Sequence, residues 1–175
     1  MKRRPTKAEK ATTTPAPRGR RSAPNKKRAK KKAALKAPSA QRSRIMRAVR
    51  SKDTAPELAL SAALRRLGVR HRRNVEALAG TPDVVIDDAR LVVFVHGCFW
   101  HGHGCPRGSR VPRTNRRFWL EKVARNRRRD RRVSRQLRAD GWSVWTVWEC
   151  ELKQAGGQAP ARLIGAIERH RERHS

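Results

Sequence analysis

Pro82-Asp83-Val84-Val85-Ile86-Asp87-Asp88-Ala89-Arg90-Leu91-Val92-Val93-Phe94-Val95-His96 is the stretch whose reading decides the fold. Asp83 to Asp87 encloses a β-branched run, which predicts a strand. Asp88-Ala89 tightens a turn into Leu91-Val92-Val93-Phe94-Val95-His96. That second run is almost wholly apolar, as expected of a strand covered on both faces at the centre of a sheet.

Working upstream, Gly80-Thr81-Pro82 is turn chemistry and residues 69–75 predict a first strand. Thr54-Ala55-Pro56-Glu57 reads as a capping box with proline in the first turn. Leu60, Ala63, Leu64 and Leu67 follow at helical spacing. Residues 43–50 predict a short helix carrying Ile45, Met46 and Val49. Downstream, residues 97–114 form a loop rich in Gly, Pro and Arg. A long helix over 116–139 ends at Asp140-Gly141, with Trp119, Val123, Asn126, Asp130, Val133 and Leu137 on one face. Residues 142–148 predict a further strand, closed by Glu149-Cys150-Glu151. A polar and marginal last helix covers 160–174. This order predicts a single α/β domain in which helices pack on a central mixed sheet.

Charge narrows the function. The chain has 175 residues, 45 Lys and Arg against 14 Asp and Glu, and a formal net charge of +31. Such an excess predicts a polyanionic partner, foremost nucleic acid. No apolar run is long enough to span a membrane, and the basic N-terminus lacks the apolar segment of a secretion signal. Three cysteines, two of them close to histidines, fit metal ligation in a reducing compartment, and a cytoplasmic location is expected. Residues 1–40 hold 15 Lys or Arg and one acid, Glu9. With scarcely any large apolar side chain, this segment is expected to be a disordered basic arm. The folded domain is expected over 41–155, and 156–175 as a C-terminal helix and tail.

The densest chemistry lies in His96-Gly97-Cys98-Phe99-Trp100-His101-Gly102-His103-Gly104-Cys105. Thiolates and imidazoles suit zinc, and the Cys-x4-His-x-Cys run offers three of four tetrahedral ligands. Cys150 is the remaining thiol that could supply the fourth. Asp83, at a strand start facing the end of the next strand, suits Mg²⁺, though it also reads as a solvated strand-end aspartate. The Glu-x-Lys expected on the second strand of many nucleases is replaced by Phe94-Val95-His96. Glu57 is explained either by helix capping or by catalysis. Asp130 and Asn126 sit on the apolar face of an arginine-rich helix, where a carboxylate needs a partner. A histidine from the His96/His101 region is the natural one. Phe99, Trp100 and Trp119 either wedge between bases or roof the metal loop and core. Trp142, Trp145 and Trp148 read as core or sheet-edge packing, and Met46 as core.

Taken in order, His96-Gly97-Cys98-Phe99-Trp100-His101, Phe118-Trp119-Leu120-Glu121-Lys122, Asn126, Asp130 and Val147-Trp148-Glu149-Cys150 resemble the very-short-patch repair (Vsr) DNA mismatch endonucleases of bacteria. The resemblance covers residues 43–152 and includes Met46-Arg47, Asp53-Thr54, Glu57 and Pro82-Asp83. It implies a restriction-endonuclease-like fold and a monomer that nicks double-stranded DNA 5′ to the T of T:G mismatches left by deamination of 5-methylcytosine. It further implies a structural zinc on Cys98, His103, Cys105 and Cys150. Catalytic Mg²⁺ would lie on Asp83 and the backbone carbonyl of Val95. His101 would be the general base, supported by Asp130, with His96 and Glu57 completing the site. Phe99, Trp100 and Trp119 would intercalate from the major groove and Met46 from the minor groove, with Asn126 on the DNA face. Implied partners are a companion cytosine methyltransferase and mismatch-repair proteins, at the nucleoid. Three positions depart from the family: Val95 where Thr is common, and Gly102 and Gly104 where His is common. The glycines imply a more mobile loop. A general restriction-type nuclease and a non-catalytic, zinc-stabilised DNA-binding module are the alternatives.

Overall fold

The computed structural model of the chain describes residues 52–174. The basic arm, the helix expected over 43–50 and Met46 lie outside the described residues. The elements are α1 (Ala55–Arg66), β1 (Arg72–Arg73), β2 (Val84–Ile86), a 3-10 turn (Asp87–Ala89), β3 (Leu91–His96) and α2 (Cys98–His101). They continue with α3 (Arg116–Ala139), β4 (Ser143–Trp148), α4 (Glu149–Gln154) and α5 (Ala161–His174).

The sheet runs β1-β2-β3-β4. β2 and β3 are the antiparallel hairpin expected from the sequence, with Val84 opposite Val93 and Ile86 opposite Leu91. β4 lies parallel to β3, from Leu91 beside Ser143 to His96 beside Trp148. A parallel neighbour requires a crossover, and α3 supplies it.

Alternation along the strands divides the core in two. Val84, Ile86, Leu91, Val93 and Val147 face Leu60 and Leu64 of α1, Leu152 of α4, and Leu163 and Ile167 of α5. Val85 and Val92 face Leu137 and Val133 of α3. Both faces of β3 are therefore covered, which is why its sequence does not alternate.

Four local expectations change. The first strand shrinks to Arg72–Arg73. The loop after β3 opens with a single helical turn, α2, and the segment after β4 is helical. The last helix, expected to be marginal, fully buries Leu163, Ala166 and Ile167. Its amphipathic spacing is hidden in the sequence by its many arginines, whose long stems tolerate a core-facing neighbour.

Candidate active site

Asp83 immediately precedes β2, and Val95 and His96 end β3, so the hairpin brings them to one end of the sheet. They line a cleft of about 410 Å³ together with Glu57, His101 and Asp130. Asp83 Oδ2 accepts the Val95 N–H at 2.6 Å. Burial pushes the Asp83 carboxyl up to about 7; the Val95 amide opposes that rise and the charge of Glu57 adds to it.

Glu57 corrects the capping reading. Thr54 makes no side-chain cap to the backbone of α1; its hydroxyl donates instead to Glu57 Oε1 at 2.6 Å. Glu57 is only 6% exposed, and its Oε2 is buried without a hydrogen-bond partner. A buried, half-satisfied carboxylate is costly unless a cation or donor meets it. Its partner in the cleft, Asp83, is another acid, so the pair fits a hard divalent cation. Val95 fits the same group. A residue's N–H and C=O leave a strand on one side, and the β2–β3 ladder ends at Val93, so the Val95 carbonyl also faces the Asp83 side. Because the donor is a backbone oxygen, Val in place of Thr does not alter it.

On the opposite wall, α2 presents His101 to α3. His101 Nδ1 lies 2.6 Å from Asp130 Oδ2, the histidine partner expected for that acid. Burial opposes ionisation of Asp130, but the His101 bond and the charges of His96 and Arg129 hold it below the usual carboxylate range. His96 stacks on His101, with ring centroids 3.8 Å apart and planes 12° from parallel. Burial first, and the charge of His101 second, push His96 down to about 4. Two further residues with no sequence signal line the cleft: Arg129, which donates to Asp130 Oδ1 at 3.3 Å, and Lys52, paired with Glu76.

Cys98, His103, Cys105 and Cys150 come together from α2, the following loop and α4, with their ligand atoms all within 4.8 Å of one another. Tetrahedral thiolates at a metal–sulfur distance of about 2.3 Å lie roughly 3.8 Å apart, so the donor set fits one ion of the zinc class. The loop around it is tight. A Cβ on Gly108 would fall 2.1 Å from the His103 carbonyl oxygen, and the Gly108 N–H donates to Cys105 Sγ at 3.4 Å. Gly102 ends α2 at φ 65°, where an added Cβ would meet Val123 at 2.7 Å. It caps α2 in a left-handed conformation that glycine adopts without strain. Trp148, which by sequence reads as core or sheet-edge packing, lies on the edge strand β4, where it stacks on His103 at 4.3 Å and meets His96 edge-on at 5.4 Å. Its position one residue before Glu149-Cys150 was the available signal.

The aromatic residues form one cluster. Trp119 packs against Phe99 at 5.5 Å, Trp100 at 6.1 Å and Phe118 at 5.1 Å. Phe99 and Trp100 are half-buried, whereas Trp119 is 7% exposed and lies among the others. Asn126, expected on the DNA face, donates Nδ2–H to the Trp100 carbonyl at 2.8 Å and so secures α2 to α3.

Comparison with known proteins supplies the class first. The chain is 47% identical over 124 residues to the type II nicking enzyme V.XorIIP of Xanthomonas oryzae pv. oryzae, covering 71% of this chain and 90% of the relative. It is 46% identical over 114 residues to the DNA mismatch endonuclease Vsr of Escherichia coli K12, covering 65% and 72%. It is 42% identical over 132 residues to the type II nicking enzyme V.NaeI of Lentzea aerocolonigenes, covering 73% and 78%. The sequence profile of DNA mismatch endonuclease Vsr matches residues 36–107. The chain belongs to the Vsr DNA mismatch endonuclease family.

Proposed function

We propose that this protein nicks duplex DNA on the 5′ side of the thymine in T:G mismatches, on a restriction-endonuclease-like sheet. The observation that carries the reading is the His101–Asp130 bond of 2.6 Å, set across one cleft from the Asp83/Glu57 carboxylate pair. The names of the relatives, nicking enzymes and a mismatch endonuclease, support the reaction class.

Phosphodiester hydrolysis needs a deprotonated nucleophile, charge neutralisation at phosphorus and fixed alignment. Asp83 and the Val95 carbonyl would hold Mg²⁺, with Glu57 beside them, and the bound ion supplies Lewis acidity at the scissile phosphate. His101, with Nδ1 committed to Asp130, keeps Nε2 to take the proton of the attacking water. Asp130 selects that tautomer, and the His96 ring stacked on His101 limits its rotation. Cys98, His103, Cys105 and Cys150 would hold a structural zinc. Four protein ligands leave no open position, so its role is to pin the loop that carries His101. Phe99 and Trp100 enter the base stack, with Trp119 as their support and Met46 from the other groove. A weakly stacked T:G pair yields to them at lower cost than a matched pair.

The test compares nicking of T:G and matched duplexes of the same sequence, with and without added Mg²⁺. Mg²⁺-dependent cutting confined to the T:G duplex supports the reading. Equal cutting of both duplexes indicates a general nuclease, and no cutting of either indicates a binding module. Asp83→Ala should abolish nicking and retain binding; nicking that survives it removes Asp83 from the metal site.

A further inference from the structure

A second cleft, of about 620 Å³, opens on the other side of the His96/His101 pair. Arg127, Arg131, Arg135 and Arg138 line it along α3, with Trp148 and His103 on the facing wall. At 100° per residue these four arginines fall within about an 80° sector of the helix. All four are exposed, and no carboxylate among the described residues pairs with them. Asp130 is the one acid lining the cleft among the described residues, and His101 and Arg129 already occupy it. Arg127 is held near the catalytic loop, since a Cβ on Gly102 would lie 3.6 Å from its Cδ.

We infer that this arginine-lined cleft is a strand-tracking subsite, binding consecutive phosphates of one DNA strand to one side of the scissile phosphate. Three features carry it. The free guanidiniums match phosphate in charge and in hydrogen-bond geometry. The row from Arg127 to Arg138 is about 16 Å long, the axial rise of four to five nucleotides at about 3.4 Å each. His96, His101 and Asp130 line both clefts, so a strand in the arginine row leads directly onto the histidine pair. The inference rests on the reading of DNA as substrate, but not on mismatch choice or on cutting.

The test measures duplex binding without added Mg²⁺ over a salt series, on the full chain. Each lost phosphate contact lowers the slope of log K against log salt by about 0.9. The triple variant Arg131→Gln, Arg135→Gln, Arg138→Gln should lower the slope by about 2 to 3. The triple Arg125→Gln, Arg128→Gln, Arg132→Gln removes the same charge from the adjoining face, centred about 90° round the same helix and outside the cleft, and should lower it by less than about 1. Arg135→Gln alone, with the least risk to folding, should lower it by about 0.9. Neutral methylphosphonates substituted along one strand of a short duplex should weaken the wild type more than the groove triple. Equal slope losses from the two triples, or equal methylphosphonate losses in wild type and variant, would overturn the subsite. Failure of the mismatch reading shows differently, as no nicking of T:G duplex with the salt slopes still distinguishing the two faces.

Discussion

The amide of Asn126 and the carbonyl of Trp100 are joined at 2.8 Å, across 26 residues of chain. That bond secures the single turn of α2 to the long helix, and with it both His101 and the aromatic pair Phe99 and Trp100. A four-residue helix cannot hold itself together, so its position depends on such clips and on the Cys/His cluster.

Asn126→Ala leaves the Trp100 carbonyl short of a donor and should destabilise the fold by about 1–2 kcal/mol. Asn126→Asp sets a carboxylate against that carbonyl and should do worse. Thermal unfolding of the three proteins checks the order; an unchanged midpoint in both variants removes the clip.

Asp130→Asn keeps the side-chain shape but can stabilise the wrong tautomer of His101. Single-turnover nicking at saturating enzyme should fall by about 10²–10⁴-fold with little change in DNA affinity. A loss confined to affinity would instead make Asp130 a binding group.

The Asp83/Glu57 pair makes the metal-free protein pH-sensitive in a defined direction. The folded-state Asp83 carboxyl sits at about 7, above its ordinary value of 3.8. Between those values the folded state binds more protons than the unfolded one, so stability falls as pH rises through this window. The effect is at most about 4 kcal/mol. Asp83→Asn should flatten the profile and raise the unfolding midpoint at pH 8. Added Mg²⁺ should raise the midpoint of wild type at pH 8 and leave Asp83→Asn unmoved, which differential scanning measures directly.

The Cys/His cluster predicts stoichiometric zinc in the purified protein. Cys150→Ser should lower metal content and the unfolding midpoint together, because ligation free energy is folding free energy at such sites. Elemental analysis showing full zinc in Cys150→Ser would falsify this ligand set.

The aromatic cluster separates two roles that composition leaves merged. Trp119→Ala empties a buried site and should cost about 3–5 kcal/mol of stability. Trp100→Ala, from a half-buried position, should cost less and act mainly on the preference for T:G over matched duplex. Paired unfolding curves and nicking ratios for the two variants decide it.

Much of this was legible because it is local. The β2–β3 hairpin follows from a β-branched run, a tight turn and an apolar run within fifteen residues. The long helix follows from one face of Trp119, Val123, Val133 and Leu137, and the metal ligands from thiols and imidazoles five and two residues apart. These patterns depend on backbone periodicity and side-chain chemistry, which a sequence carries in full. The sequence also supplied the partner class of Asp130, since an acid on an apolar face demands one.

Tertiary structure alone decided the rest, because it concerns groups that meet only after the chain has closed on itself. Glu57 reads as a helix cap by spacing, and only the packing of α1 against the sheet turns it into a buried, half-satisfied carboxylate beside Asp83. Trp148 reads as a sheet residue until the parallel pairing of β4 with β3 sets it between His96 and His103. Trp119 reads either as a wedge between bases or as part of the roof over the metal loop and core, and only the fold packs Phe99, Trp100 and Phe118 against it. The four groove arginines are indistinguishable in sequence from those on the adjoining face of α3. What distinguishes them is which side of the helix faces the histidine pair, and that follows from how Leu137 and Val133 seat on the sheet.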